Sequence, residues 1–126
     1  MTTLRRALDG LGTGPTGLHH HDATAIGEII QIENLGLVSR GDGGPASERG
    51  ETRVRGRIPV NPSGGLESKG HPIGATGLAQ IYELVMQLRG EAKRRQVPAA
   101  QFAIAENGGG VIGIEEAVAV VTVLGR

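Results

Sequence analysis

The chain has no cysteine and no tryptophan, and only one phenylalanine and one tyrosine among its 126 residues. Without a thiol there is no disulfide framework, no thiolate zinc site, no redox motif and no cysteine nucleophile. One phenylalanine and one tyrosine make no platform for stacking bases, and 13 basic against 13 acidic residues leave no cationic footprint for a polyanion. No apolar run reaches the length of a membrane span, and the opening Met1-Thr2-Thr3-Leu4-Arg5-Arg6 lacks the apolar block of a signal peptide. The sequence therefore reads as one cytoplasmic domain, residues 1–126, with neither nucleic acid nor membrane as a partner. His19, His20 and His21 are consecutive, so on any regular element they point apart and make no metal site.

Glycine is what the chain has in abundance, at 22 residues, and it punctuates the apolar patterns. Leu4, Ala7, Leu8 and Leu11 recur at helical spacing before Gly12. Asp22 can cap a second helix that carries Ile26, Ile29, Ile30 and Leu35 and stops at Gly36. Residues 36–65 lose periodicity and read as a long Gly/Pro-rich loop, with a short exposed strand over Thr52–Ile58 where Arg53, Arg55 and Arg57 alternate with smaller residues. Leu78, Ile81, Tyr82, Val85 and Leu88 predict a helix from about Ala75 to Arg89, apolar over a broad arc and closed by Gly90. Phe102–Ala105 and Ala117–Leu124 read as buried strands, the second nearly continuous in apolar residues.

Polar, glycine-flanked segments sit at the ends of these elements: His21-Asp22, Gly70-His71-Pro72-Ile73-Gly74-Ala75-Thr76-Gly77 and Glu106-Asn107-Gly108-Gly109-Gly110. In open α/β folds, sites gather where strands end and helices begin. A histidine just before a helix start faces the positive end of the helix dipole, which favours a neutral ring able to donate an N–H to a carbonyl oxygen. His71 is thus either an oxyanion donor or a loop histidine that caps the helix. Ser63 and Ser68 lack the strand-turn-helix setting of a serine nucleophile and read as turn formers.

Asn61-Pro62-Ser63-Gly64-Gly65-Leu66, Lys69-Gly70-His71-Pro72-Ile73-Gly74-Ala75-Thr76-Gly77, Gln87-Leu88-Arg89-Gly90-Glu91-Ala92 and Arg95-Gln96-Val97-Pro98 closely resemble the C-terminal half of thiolases, nearest to the sterol-carrier-protein type. His20-His21-Asp22-Ala23-Thr24-Ala25 is similar to that subgroup's His-Asp-x-Phe segment, with Thr24 or Ala25 where the family has Phe. The resemblance implies an α/β thiolase-like half: a five-stranded mixed sheet with helices on its faces. It implies Claisen condensation or thiolysis of acyl-CoA, with the coenzyme A thioester as substrate and no further cofactor.

By the same resemblance His71, His21 and Glu106 hold the catalytic positions, Glu106 standing where relatives carry Cys or His. Asn61, Ser63, Gly64, Gly65, Asn107 and Gly108 line the substrate side. The family's nucleophilic cysteine belongs to an N-terminal half that is absent from this sequence. The isolated chain is therefore expected to be inactive, with acyl-CoA and a thiolase-like N-terminal half or full-length protein as partners, in a homo- or hetero-oligomer. The alternative is a noncatalytic acyl-CoA-binding or protein-interaction subunit of a thiolase-like or retro-aldolase complex, with a small OB-fold protein as partner.

Overall fold

The computed structural model describes residues 18–19, 24–113 and 117–126. The elements run β1 (Leu18–His19), α1 (Ala25–Asn34), α2 (Gly43–Glu48), α3 (Gly65–Lys69), α4 (Thr76–Arg89), a 3-10 turn (Lys93–Arg95), β2 (Phe102–Gly109) and β3 (Val118–Gly125). The helix expected over Leu4–Leu11 lies outside the described residues.

β2 organises the molecule. It pairs parallel with β1, placing His19 opposite Ala105, and antiparallel with β3 over its whole length, from Phe102 opposite Gly125 to Gly109 opposite Val118. Because side chains alternate across a strand, Ile104 faces one layer while Ala103 and Ala105 face the other. Ile104 packs with Ile32, Val38, Ala46, Ile58 and Val60; Ala103 and Ala105 pack with Leu84, Leu88, Val97 and Ala100. Two small alanines on the strand let the large leucines of α4 come close, so the second core interleaves small with large side chains.

The sheet differs from the expected five-stranded one. Among the described residues it has three strands, of which β2 and β3 make a long antiparallel pair and β1 contributes two residues. No strand forms over Thr52–Ile58: Ile58 N–H bonds Glu51 O (2.8 Å) and Val60 N–H bonds Thr52 O (3.0 Å), closing a tight loop instead. Ile58 reaches one core and Val54 packs against the other from the turns of this loop, while all three arginines stay exposed. Nor are residues 36–65 structureless, since they hold α2 and the turns around it.

β3 also departs from expectation, because Val118, Val120, Val121 and Val123 are exposed. An apolar run is buried only when layers cover both faces, and among the described residues β3 is the sheet's edge.

α1 starts at Thr24, whose hydroxyl accepts from Gly27 N–H (3.1 Å), while the expected cap, Asp22, lies outside the described residues. The helix buries Ile32 and leaves Ile26 and Ile30 exposed, so only part of the expected apolar stripe faces the core. Its end is as read, with Gly36 in the left-handed region at φ 72°. α2 docks on it through Gly43, whose N–H bonds Glu33 Oε1 (2.9 Å) and where an added Cβ would lie 2.9 Å from Ile29.

Glu51 ties the loop after α2 together. Arg57 and Arg49 both donate to its carboxylate, and these hydrogen bonds hold the carboxyl below its ordinary value of 4.5. A depressed acid contributes stability above the unfolded-state value and loses it as pH falls through the folded one. Melting Glu51→Gln beside the native protein should show the variant less stable at neutral pH, with the gap closing below pH 4.5; a gap that widens in acid would refute this.

Candidate active site

Two turns frame the start of α4. In the first, Asn61 adopts a left-handed φ of 44°, tolerable for asparagine, and its carbonyl accepts Gly64 N–H (2.7 Å). Gly64 follows at φ 92°, where a side chain would also run into Ser68, and Gly65 opens α3. Asn61 and Gly65 are buried, Ser63 partly so and Gly64 exposed. In the second, Gly70 (φ 79°) turns the chain into His71-Pro72. Pro72 O accepts both Ala75 N–H (2.8 Å) and Thr76 N–H (2.9 Å), which launches α4.

His71 is solvent-exposed, but its ring is tied down: Nδ1 lies 2.7 Å from the hydroxyl of Thr76, which is only 2% exposed. The same helical turn meets the end of β2. A Cβ built on Gly77 would sit 3.4 Å from Asn107 Nδ2, so the absent side chain permits this approach. One turn on, Gln80 is fully buried; its amide donates to Glu106 O (2.9 Å) and accepts from Asn107 Nδ2 (2.8 Å). Sequence reading passed over Thr76 and Gln80. Their signal was polarity four residues apart on one face of an otherwise apolar helix.

The structure thus anchors His71 and Asn107 to the first two turns of one helix. Glu106 is placed differently. It lies within β2, not on a turn after a strand, because β3 pairs with β2 as far as Gly109. Its side chain is 4% exposed and, by strand alternation, shares the face of Ile104, opposite to Asn107. Gly108 is buried beside them. His21 lies outside the described residues; β1 ends at His19, opposite the residue that precedes Glu106.

A cavity of about 400 Å³ opens at the other end of α4, lined by Val85, Leu88, Arg89, Leu124 and Arg126 and by none of the candidate residues. Among the described residues, no cluster of three histidine or acidic side chains could hold a metal ion. No described helix is long and apolar enough to cross a membrane.

The chain is 55% identical over 93 residues to the acetyl-CoA acetyltransferase of Methanothermobacter thermautotrophicus, covering 74% of this chain and 24% of that protein. It is 48% identical over 119 residues to sterol carrier protein 2 of Bos taurus, covering 92% and 21% respectively. It therefore spans about a fifth to a quarter of these curated relatives. A solved structure titled Ltp2-ChsH2(DUF35) aldolase superposes with a TM-score of 0.64 at 20% identity over 83% of this chain and 27% of that one, a likeness of fold. Residues 16–126 match the family described as thiolase C-terminal domain-like, and the chain belongs to that family.

Proposed function

We propose that this domain contributes half of an acyl-CoA acyltransferase site, acting in Claisen condensation or thiolysis. The observation that carries the reading is the anchoring of His71 and Asn107 to the first turns of α4, through Thr76 and Gln80. His71 donates an N–H to the thioester or enolate oxygen, where negative charge develops. Asn107 and the turn Asn61–Gly65 position the acyl-CoA, and His21 takes a remaining proton-transfer position. The nucleophilic cysteine comes from a thiolase N-terminal half, since this sequence holds none.

The exposed side of α4 offers that half a seat, with Leu78 75% and Tyr82 64% exposed at i and i+4. The similarity to an acetyl-CoA acetyltransferase supports the substrate class.

The test is thiolysis of acetoacetyl-CoA by the purified chain, alone and combined with a thiolase N-terminal half. The chain alone should be inactive and the combination active, with His71→Ala lowering kcat by about 10²–10³-fold, the usual cost of losing one oxyanion donor. Turnover by the chain alone, or a combined activity indifferent to His71→Ala, would overturn the proposal. Binding of acetyl-CoA without turnover in any combination would favour the noncatalytic subunit.

A further inference from the structure

The geometry points to Thr76 and Gln80 as positioning residues that set the hydrogen-bonding sense of the site: His71 as an Nε2–H donor and Asn107 as an Oδ1 acceptor. Both assignments start from a backbone carbonyl, a group that can only accept.

At His71, the fixed point is Pro72 O. It already accepts two backbone N–H groups, from Ala75 and Thr76, one for each lone pair. The Thr76 hydroxyl can donate to that same oxygen at 3.2 Å, longer than a good O–H bond, or to His71 Nδ1 at 2.7 Å, the shorter of the two contacts. Its single proton is therefore directed to Nδ1. In the neutral ring, Nδ1 then acts as acceptor and the proton resides on Nε2.

At Asn107, the fixed point is Glu106 O. The group 2.9 Å from it must be the NH₂ of Gln80, so Gln80 presents Oε1 to Asn107. The group 2.8 Å from Oε1 must in turn be the Asn107 NH₂, which leaves Oδ1 as the group directed away from α4. Gln80 is 0% exposed and Thr76 2%, so no bulk water competes to reverse either assignment.

The result is one donor and one acceptor held from beneath by residues four apart on α4. A ligand carbonyl suits His71, and a ligand O–H or N–H suits Asn107. The ligand's identity as an acyl thioester rests on the function proposed above; the polarity of the two groups does not.

The test uses the isolated ¹⁵N-labelled chain at about pH 8.5, well above the ordinary histidine range. Long-range ¹H–¹⁵N correlation should find the His71 proton on Nε2. The Nε2–H to Nδ1–H ratio should exceed that of the same histidine in the urea-unfolded chain by about fivefold or more, the effect of one ordinary hydrogen bond. Thr76→Ser should keep the folded ratio and the isosteric Thr76→Val should bring it to the unfolded value. For the second half, Gln80→Met should speed exchange of the Asn107 side-chain amide protons by about fivefold or more.

A native ring protonated on Nδ1, or a native ratio equal to the unfolded one, would overturn the His71 assignment even if no variant folds. A native Asn107 amide exchanging as fast as in the unfolded chain would overturn the other. None of these readouts involves a cysteine, a partner or acyl-CoA, so their failure is separable from failure of the proposed function.

Discussion

Gly56→Ala should lower stability by about 3 kcal/mol, the upper range for forcing extra atoms into a packed site, which is roughly a 10 °C fall in melting temperature for a chain of this size. Gly56 sits inside the loop that Glu51, Ile58 and Val60 close. A Cβ there would overlap the Glu51 carbonyl and come within 2.6 Å of Gly50 O. Those atoms are backbone, so no side-chain rotation relieves the clash. The loop also delivers Ile58 and Val60 to the core beneath Ile104, which couples a local clash to the main packing. Gly44→Ala is the control. It makes the same chemical change in α2, where nothing lies within 4 Å of the new methyl, and it should be neutral or stabilising. Thermal melts that ranked the two variants equally would refute the argument.

Gln87→Leu should cost about 3 kcal/mol although it exchanges a polar for an apolar side chain in the interior. Gln87 is 1% exposed and fully used: Oε1 accepts Val97 N–H (2.8 Å), while Nε2 donates to Arg95 O (2.8 Å) and Glu83 Oε1 (3.1 Å). Leucine matches the bulk but leaves the buried Val97 N–H without its acceptor and takes one donor from the 4% exposed Glu83. Arg95 donates to Glu83 as well, and that pairing raises the guanidinium above its ordinary value. Arg95 is about half exposed but Glu83 is buried, so Arg95→Met takes the cation from a buried carboxylate and should also destabilise. Urea unfolding would check this through the midpoint shift, with the slope unchanged. A Gln87→Leu variant as stable as the native chain would show that burial of the leucine offsets the lost hydrogen bonds.

Gln87 also shows where periodicity misleads. The apolar residues of α4 predict a buried face through Leu78, Ile81, Tyr82, Val85 and Leu88. The structure buries Thr76, Gln80, Glu83, Leu84, Gln87 and Leu88, turning the helix so that Leu78 and Tyr82 face outward. Hydrophobicity ranks residues by transfer to an apolar phase and cannot register that particular backbone groups wait for a particular amide. Here Glu106 O, Asn107, Val97 N and Arg95 O supply those partners, from residues 8 to 27 positions along the chain.

Local chemistry by itself determined the limits of several elements, because propensities and caps act within a few residues. α4 is capped by Gly90, left-handed at φ 76°, the chain leaves α1 through Gly36, also left-handed, and Phe102–Ala105 opens a strand that buries Ala103, Ile104 and Ala105 on both faces. The Gly-His-Pro run and its flanking segments were enough to identify the family from residue order. Only the tertiary structure decided which face of α4 turns inward, that Arg53, Arg55 and Arg57 alternate on a loop, and that Glu106 and Asn107, adjacent in sequence, lie on opposite faces of β2. Each of these depends on what stands across from the residue. A strand passes its neighbours to alternate layers, and a helix settles on the face whose polar groups find partners, so distant segments choose among orientations that local sequence leaves equally open.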